Sequence, residues 1–500
     1  MKYFKLIALS GLAGLLLSRG GVENPSWILV LIGLGLWVQQ ISVLSIKDSL
    51  YSTATFWFIG SFFLLDWLKV LGADAKIALC VFVTLYWTFV IWIWNKFFRY
   101  QAKYQSLMFA LIFVASEYVL SIAPFGGFNW LRLGYLVSDL PTFRISYWFG
   151  ISAISFLVMF FLHRIVQTEI SKIKTFSLIL LVAFISSFTH FLTGIGDDER
   201  SGAGINVLGI QGSVPQVGLD FNAQRAAVFA NHYRKTQSEL IKSTKINQSI
   251  DLIVWPENSS DIDPFKNTDI SRALIDLEQK YAIPILFGAV LEQGDGLGNA
   301  AVLVKDGELK VEYQKQKLVP FGEYLPFRSL LAPLIERFDR LPKDFIAGQG
   351  SSMTVVDSLN VSVLICYEVA FDQIWHQAAK RADVLVVMTN NATYGGTTQP
   401  MQQMRITQAH ARSLQIPVMV VATSGTTAFI NKDGELVEII KDNLPAAIYQ
   451  NITKPNRVAP AAYTAIPTLI ISLLVILISI LRKVWINYFL IRKERYQHHR

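Results

Sequence analysis

Three side chains in the polar middle of this chain could together carry out acyl transfer: Glu257, Lys315 and Cys366. A thiolate is the competent nucleophile of cysteine chemistry, so a carboxylate that takes the thiol proton activates it. A nearby ammonium favours the thiolate and then stabilises the oxyanion of the tetrahedral intermediate. Cys366 is one of only two cysteines, and the other, Cys80, lies in an unbroken apolar run. The combination indicates a thioester mechanism rather than a structural disulfide.

Each of these residues stands at the edge of an apolar segment typical of a buried strand. Leu252-Ile-Val-Trp-Pro precedes Glu257, and Val361-Ser-Val-Leu-Ile precedes Cys366. Further strands and helices are predicted between them, with hairpins at Asp306-Gly307 and Asp433-Gly434. The strand predictions are 205–211, 251–255, 283–290, 361–366, 384–389 and 417–422, and the helix predictions are 223–240, 270–281, 373–382 and 402–414. This mixture predicts an α/β domain centred on a sheet and covered by helices.

The rest of the chain is too apolar for an ordinary soluble protein. Its hydrophobic content is 52% and its mean hydropathy is +0.39. Runs of about twenty apolar residues predict membrane spans. Seven are predicted near 3–18, 26–45, 53–71, 77–95, 106–123, 147–163 and 175–194, and an eighth covers 466–481. The predicted domains are therefore 1–195 (helical), 196–460 (catalytic) and 461–500, which holds the last span and a basic tail.

The distribution of lysine and arginine predicts the orientation of these spans. With a cytoplasmic N-terminus, fifteen basic residues fall on the cytoplasmic side and five in the short loops opposite. Residues 196–460 then lie outside the cytoplasm and the tail lies inside. This asymmetry also explains the net charge of +8 without invoking nucleic acid as a partner.

The motifs around the three reactive residues resemble the nitrilase superfamily, and within it the apolipoprotein N-acyltransferase family. They are Trp-Pro-Glu257, Lys315-x-Lys-Leu-Val-Pro-Phe-Gly-Glu323 and Ile-Cys366-Tyr-Glu368. The resemblance implies an α-β-β-α sandwich inserted between seven spanning helices and one. It also implies that Glu257 is the general base, Lys315 the oxyanion and thiolate partner, and Cys366 the nucleophile. Glu323 matches a second carboxylate beside the triad, and Tyr367 and Glu368 match supporting residues.

Other segments depart from the family pattern. After Gln211-Gly-Ser-Val-Pro-Gln216 this chain has Leu219-Asp220-Phe221, where the family often has a tryptophan on a lid. The segment Thr389-Asn-Asn-Ala-Thr-Tyr394-Gly395 lacks the family's aspartate and tryptophan. The glycine- and aromatic-rich outer loop contains Phe128-Asn-Trp130 and Tyr135. Such a loop is either an interfacial aromatic belt or the wall of an entrance for apolar substrates. In the second interpretation, the substrate entrance is formed by Phe128, Trp130, Tyr135, Phe221 and Tyr394.

The resemblance implies transfer of a fatty acyl chain from a phospholipid to the N-terminal amine of a diacylglyceryl-modified cysteine on a lipoprotein. No metal or other cofactor is expected, and the enzyme is expected to act as a monomer in the bacterial inner membrane. Two alternatives are a membrane-tethered amidase acting on small amides, and a catalytically inactive scaffold or transporter. A transport path usually contains intramembrane charges, and Asp66 is the nearest candidate for one.

Overall fold

The structure, a computed structural model, describes residues 2–100, 104–167, 172–194, 204–214, 226–334, 343–350, 353–356, 359–441, 443–453 and 458–498. The chain forms two compact units. The helical unit comprises residues 1–123, 127–191 and 463–500, and the sheet unit comprises residues 124–126 and 192–462.

The helical unit contains the apolar helices that the sequence predicts. Three of the described helical segments, Lys2–Gly21, Ala73–Phe97 and Ala461–Ile486, are long and apolar enough to cross a membrane. The apolar segments Trp27–Val43, Gln105–Leu120, Ile151–Val166 and Ser177–Thr189 are shorter. The predicted count of seven spans before the sheet unit and one after it therefore stays a prediction. The helices are α1 (Lys2–Ser18), α2 (Trp27–Val43), α3 (Ile46–Leu64), α4 (Ala73–Phe97), α5 (Gln105–Leu120), α6 (Leu133–Leu136), α7 (Ser146–Phe149), α8 (Ile151–Val166) and α9 (Lys172–Gly194), with the C-terminal helix Ala461–His498.

Small and polar residues bring the first three helices together. A Cβ at Gly14 of α1 would lie 2.5 Å from the Phe56 carbonyl of α3, so only glycine permits this approach. Nearby, Ser10 donates to Gln40 Oε1 over 2.7 Å, and Ser52 donates to the same oxygen over 3.1 Å. These contacts fix the register of α1, α2 and α3 among side chains that are otherwise apolar.

The sheet unit is built from two six-stranded sheets. One has the strand order β12-β1-β2-β3-β4-β5 and the other β11-β10-β9-β8-β7-β6. The strands are β1 (Ile205–Gln211), β2 (Leu252–Val254), β3 (Ile285–Gln293), β4 (Gly296–Lys305), β5 (Glu308–Gln314), β6 (Thr354–Val356), β7 (Leu359–Ile365), β8 (Val384–Thr389), β9 (Val418–Ala422), β10 (Thr427–Ile430), β11 (Leu436–Ile440) and β12 (Ala446–Ile452).

The two sheets pack face to face and helices cover their outer faces. Ile205 and Val207 of β1 join the core between the sheets, whereas Leu208 and Ile210 join a second core under the helices. The helices of this unit are α10 (Ala227–Lys245), α11 (Thr268–Tyr281), α12 (Arg328–Leu331), α13 (Asp372–Ala379) and α14 (Gln399–Leu414). The predicted α-β-β-α sandwich is thereby confirmed for the sheet unit.

Most predicted elements occur where the sequence places them, including the hairpins at Asp306-Gly307 and Asp433-Gly434. The strand predicted to include Cys366 ends one residue earlier, at Ile365. Cys366 has a φ of 52°, which is incompatible with continuing the strand, and it begins a short 3-10 turn, Cys366–Ala370. The nucleophile candidate therefore stands on a turn rather than in the sheet.

Candidate functional site

Glu257 is held in a bend directly after β2. β2 ends at Val254, and Trp255 and Pro256 lead into the bend. Gly288 of β3 lies behind it, where a Cβ would come within 2.6 Å of the Glu257 Cα. The Glu257 side chain is only 4% exposed, and its Oε2 accepts a hydrogen bond from the Asn390 backbone N–H over 2.8 Å. The Thr423 hydroxyl donates to the Glu257 carbonyl over 2.9 Å. Because Asn390 and Thr423 follow strands of the opposite sheet, these bonds fasten Glu257 between the sheets.

Lys315 lies directly after β5 and places its ammonium between two carboxylates. Its Nζ is 3.1 Å from Glu257 Oε1 and 2.9 Å from Glu323 Oε1. Asn299 Nδ2 donates to the same two oxygens over 2.7 and 2.9 Å. Burial alone would lower the pKa of Lys315, but the charges of Glu257 and Glu323 and the Cys366 thiol raise it well above its usual value. Lys315 therefore carries a permanent positive charge inside the site.

The Cys366 thiol is a poor nucleophile unless a base assists it. Burial, followed by the charge of Glu257, raises the pKa of Cys366 to about 12, against the opposing effects of Lys315 and a hydrogen bond with Thr389. A left-handed backbone at a residue other than glycine costs about 1–3 kcal/mol and is typical of functional sites. The arrangement thus combines a neutral thiol, a fixed cation and a carboxylate that can take the thiol proton.

Glu368 stabilises the turn at Cys366 by accepting hydrogen bonds. Its Oε2 accepts from the Ile365 N–H over 2.8 Å, and its Oε1 accepts from the Tyr313 hydroxyl over 2.8 Å and the Gln316 N–H over 2.7 Å. A single buried carboxylate therefore joins the segment that bears Lys315 to the turn that begins with Cys366. The adjacent Tyr367 packs edge-on against the ring of Phe371, with the ring centroids 5.0 Å apart.

Comparisons with known proteins agree with this architecture. The carbon-nitrogen hydrolase family model matches residues 224–452, and the model of the apolipoprotein N-acyltransferase N-terminal domain matches residues 13–162. The apolipoprotein N-acyltransferase of Haemophilus ducreyi is 30% identical over 368 residues, which cover 69% of this chain and 70% of the relative. The chain belongs to the apolipoprotein N-acyltransferase family. The family resemblance inferred from the motifs is confirmed.

Other apolipoprotein N-acyltransferases match different lengths of the chain. The protein of Mycolicibacterium smegmatis is 34% identical over 281 residues, which are 54% of this chain and less than half, 46%, of that relative. The protein of Pseudomonas syringae pv. tomato is 24% identical over 483 residues, 89% of this chain and 92% of that relative. With its apolar helices, the chain is therefore a bacterial membrane protein with a nitrilase-type α/β unit.

The residues predicted to form the substrate entrance do not all belong to the sheet unit. Phe128, Trp130 and Tyr135 belong to the helical unit, where Trp130 and Tyr135 are buried and the Trp130 ring centroid lies 5.6 Å from that of Trp67. Phe221 lies outside the described residues. Tyr394 interacts electrostatically with Cys366 and Lys315. Tyr394 is thus the one member of this set that the described sheet unit brings to the triad, and the entrance as a whole stays a prediction.

Sequence reasoning missed several residues that the site depends on. Asn299 bridges the two carboxylates, Gly288 makes room for Glu257, and Gln403 donates to the Cys366 carbonyl over 3.3 Å. The sequence could have indicated Asn299, because its side-chain amide stands inside the otherwise apolar run of β4. No local pattern marks Gln403, which lies in a helix rich in glutamine.

The structure separates the two lysines of the Lys315-Gln-Lys317 segment. Lys317 Nζ lies 5.2 Å from the centroid of the Phe371 ring, whereas Lys315 contacts both carboxylates. Lys315→Met is expected to lower the rate of acyl-enzyme formation by about 10²–10³-fold, because it removes the cation predicted to stabilise the oxyanion. Lys317→Met is the matched control and should retain most of the rate. Equal losses in single-turnover assays would contradict the assignment of Lys315.

Proposed function

We propose that this protein transfers a fatty acyl chain from a phospholipid to the N-terminal amine of the diacylglyceryl-modified cysteine of a lipoprotein. The observation that carries the proposal is the partly buried thiol of Cys366, which interacts electrostatically with Glu257 and Lys315, in a chain of the N-acyltransferase family. A buried cation between two carboxylates could also be purely structural. The strained backbone at Cys366 favours a catalytic role, since a structural ion pair does not require it.

In the first step, Glu257 takes the proton of Cys366 as Sγ attacks the ester carbonyl of the phospholipid. Lys315 stabilises the oxyanion of the tetrahedral intermediate. When this intermediate collapses, the ester C–O bond breaks and Glu257 returns the proton to the departing oxygen, which releases a lysophospholipid. The acyl chain is left on Cys366 as a thioester.

In the second step, the N-terminal amine of the lipoprotein attacks the thioester carbonyl. Glu257 now takes a proton from the amine and delivers it to the departing Cys366 sulfur, so the free thiol is regenerated and an amide is formed. The two steps balance with ester, thiol and amine alone. The donor leaves before the acceptor reacts, so the scheme predicts ping-pong kinetics.

We place the sheet unit on the outer, periplasmic side of the inner membrane, in a monomer. The support is the positive-inside asymmetry of fifteen basic residues against five.

A maleimide that carries a long alkyl tail should label Cys366 faster than a charged, impermeant maleimide of similar reactivity, because the site should open toward lipid. Both should label it from the outer face of cells stripped of an outer barrier. Labelling only after the cytoplasmic side is opened would contradict the orientation.

The match to carbon-nitrogen hydrolases favours one competing function, hydrolysis of a small amide by the same three residues. The two functions differ in the first product. Purified protein in detergent is incubated with a fluorescent phospholipid, and lysophospholipid is measured. The acyltransferase should release lysophospholipid in a burst of one equivalent and continue only when a diacylated lipopeptide is added. An amidase should release none and should instead liberate ammonia from short-chain amides.

A further inference from the structure

The paired strands of the second sheet place a hydroxyl beside the candidate nucleophile. In the parallel pairing of β7 with β8, Ile365 lies opposite Met388, so the next residues along the chain are Cys366 and Thr389. Thr389 is fully buried at the end of β8, and its side chain is hydrogen-bonded to the Cys366 thiol. The register of the sheet therefore places the Thr389 hydroxyl beside the Cys366 sulfur, although Thr389 is not one of the three triad residues.

A glutamine on α14 orients the Thr389 hydroxyl. Gln403 Nε2 donates one hydrogen to Thr389 Oγ1 over 3.0 Å and the other to the Cys366 carbonyl over 3.3 Å. Gln403 Oε1 accepts from Gln399 Nε2 over 3.2 Å. The bond from Gln403 Nε2 occupies one lone pair of Thr389 Oγ1 and leaves the single hydroxyl proton to be donated.

That proton has three possible acceptors, one of which is Gln403 Oε1, 3.3 Å from Thr389 Oγ1. The second is Asn391 Oδ1, 3.1 Å from Thr389 Oγ1, and the third is the Cys366 sulfur. A neutral thiol is a weak acceptor, whereas a thiolate is charged and attracts a donor strongly. The hydroxyl can therefore rotate from Asn391 to the sulfur as the thiolate forms, and back again when the thioester is made.

We infer that Thr389 is a further catalytic residue that stabilises the Cys366 thiolate by hydrogen bonding, and that Gln403 is a positioning residue that orients it. This inference rests on the proposed role of Cys366 as nucleophile. The hydroxyl is neutral, so it favours the thiolate without adding a positive charge that would weaken Glu257 as the base. Gln403 also donates a hydrogen bond to the backbone carbonyl of Cys366, the residue with the left-handed backbone.

The test uses alkylation of Cys366 by iodoacetamide in full-length protein that carries Cys80→Ser, followed by mass spectrometry between pH 6 and 10. Thr389→Val keeps the volume and removes the hydroxyl, whereas Thr389→Ser keeps the hydroxyl and removes the methyl group. Thr389→Val is expected to slow alkylation about tenfold at each pH, so that the whole rate–pH curve is lowered by that factor. Thr389→Ser should restore the curve. Thr407→Val, which removes a buried hydroxyl that donates only along α14 to the Gln403 carbonyl, is the control and should leave it unchanged.

Gln403→Met is expected to shift the curve in the same direction by a smaller amount. Because Gln403 acts through Thr389, the double variant with Thr389→Val should be no slower than Thr389→Val alone. Normal alkylation in Thr389→Val with slow alkylation in Thr389→Ser would mean that the side chain only fills space, and it would overturn the inference. Fully additive losses would overturn the role of Gln403. Alkylation requires neither phospholipid nor lipoprotein, so its outcome is separate from that of the acyl-transfer assay.

Discussion

Cys366→Ser is expected to abolish acyl transfer, with turnover below detection and no acyl adduct on the protein. A serine hydroxyl is far less acidic than a thiol, and a carboxylate base alone cannot ionise it. The substitution changes one atom, so the packing of the turn should survive. Release of lysophospholipid and acylation of a lipopeptide are measured on purified protein, with thermal unfolding as the check on folding.

The matched control is Cys80→Ser, which changes the other cysteine. Cys80 is buried in α4 of the helical unit and belongs to no polar cluster of the site. We expect nearly normal turnover from this variant. Retained turnover in Cys366→Ser, or its loss in Cys80→Ser alone, would refute the assignment of the nucleophile.

Glu257→Gln is expected to lower the rate of thioester formation by about 10²–10⁴-fold, the usual contribution of a positioned general base. Burial, the largest cause of the raised Cys366 pKa, remains in this variant, so the thiol stays mostly protonated at pH 8 without a base. The proposed transfer of the thiol proton to Glu257 predicts that the native rate is nearly independent of pH between about 7 and 9. The variant depends on hydroxide to ionise the thiol, so its rate should rise with pH. Single-turnover release of lysophospholipid measures both profiles.

Glu278→Gln is a suitable control for Glu257→Gln, because Glu278 is also a buried carboxylate of the sheet unit. It accepts hydrogen bonds from the backbone of the β4–β5 hairpin, at Asp306 over 3.2 Å and Gly307 over 3.1 Å. Its replacement should lower the thermal stability and leave the pH profile flat. A Glu257→Gln profile as flat as that of the native protein would mean that another group takes the thiol proton.

The sequence predicts where two of the candidate residues lie, because Glu257 and Cys366 each follow a strongly apolar strand. Glu257 after β2 and Cys366 after β7 follow from apolar runs that end in a polar residue, and the motif resemblance distinguishes Lys315 from Lys317. The hydrogen bonds of Lys315 to two carboxylates agree with that choice.

What the sequence could not predict depends on pairing between distant segments. Asn299 meets Glu257 and Glu323 only because β4 lies next to β3 and β5, and Thr389 meets Cys366 only through the parallel pairing of β7 with β8. No local periodicity encodes such a register. The left-handed backbone of Cys366 was equally hidden, since the apolar run before it predicts a strand that continues through the cysteine.

Detection of the acyl-enzyme tests the central claim most directly. The protein is incubated with a phospholipid of defined acyl chain and no acceptor, digested with protease and analysed by mass spectrometry. We expect the peptide that contains Cys366 to gain the mass of that acyl chain, to lose it in hydroxylamine, and to transfer it to the N-terminal amine of an added diacylated lipopeptide. An acylated lipopeptide formed without any adduct on Cys366, or formed equally by Cys366→Ser, would contradict the account.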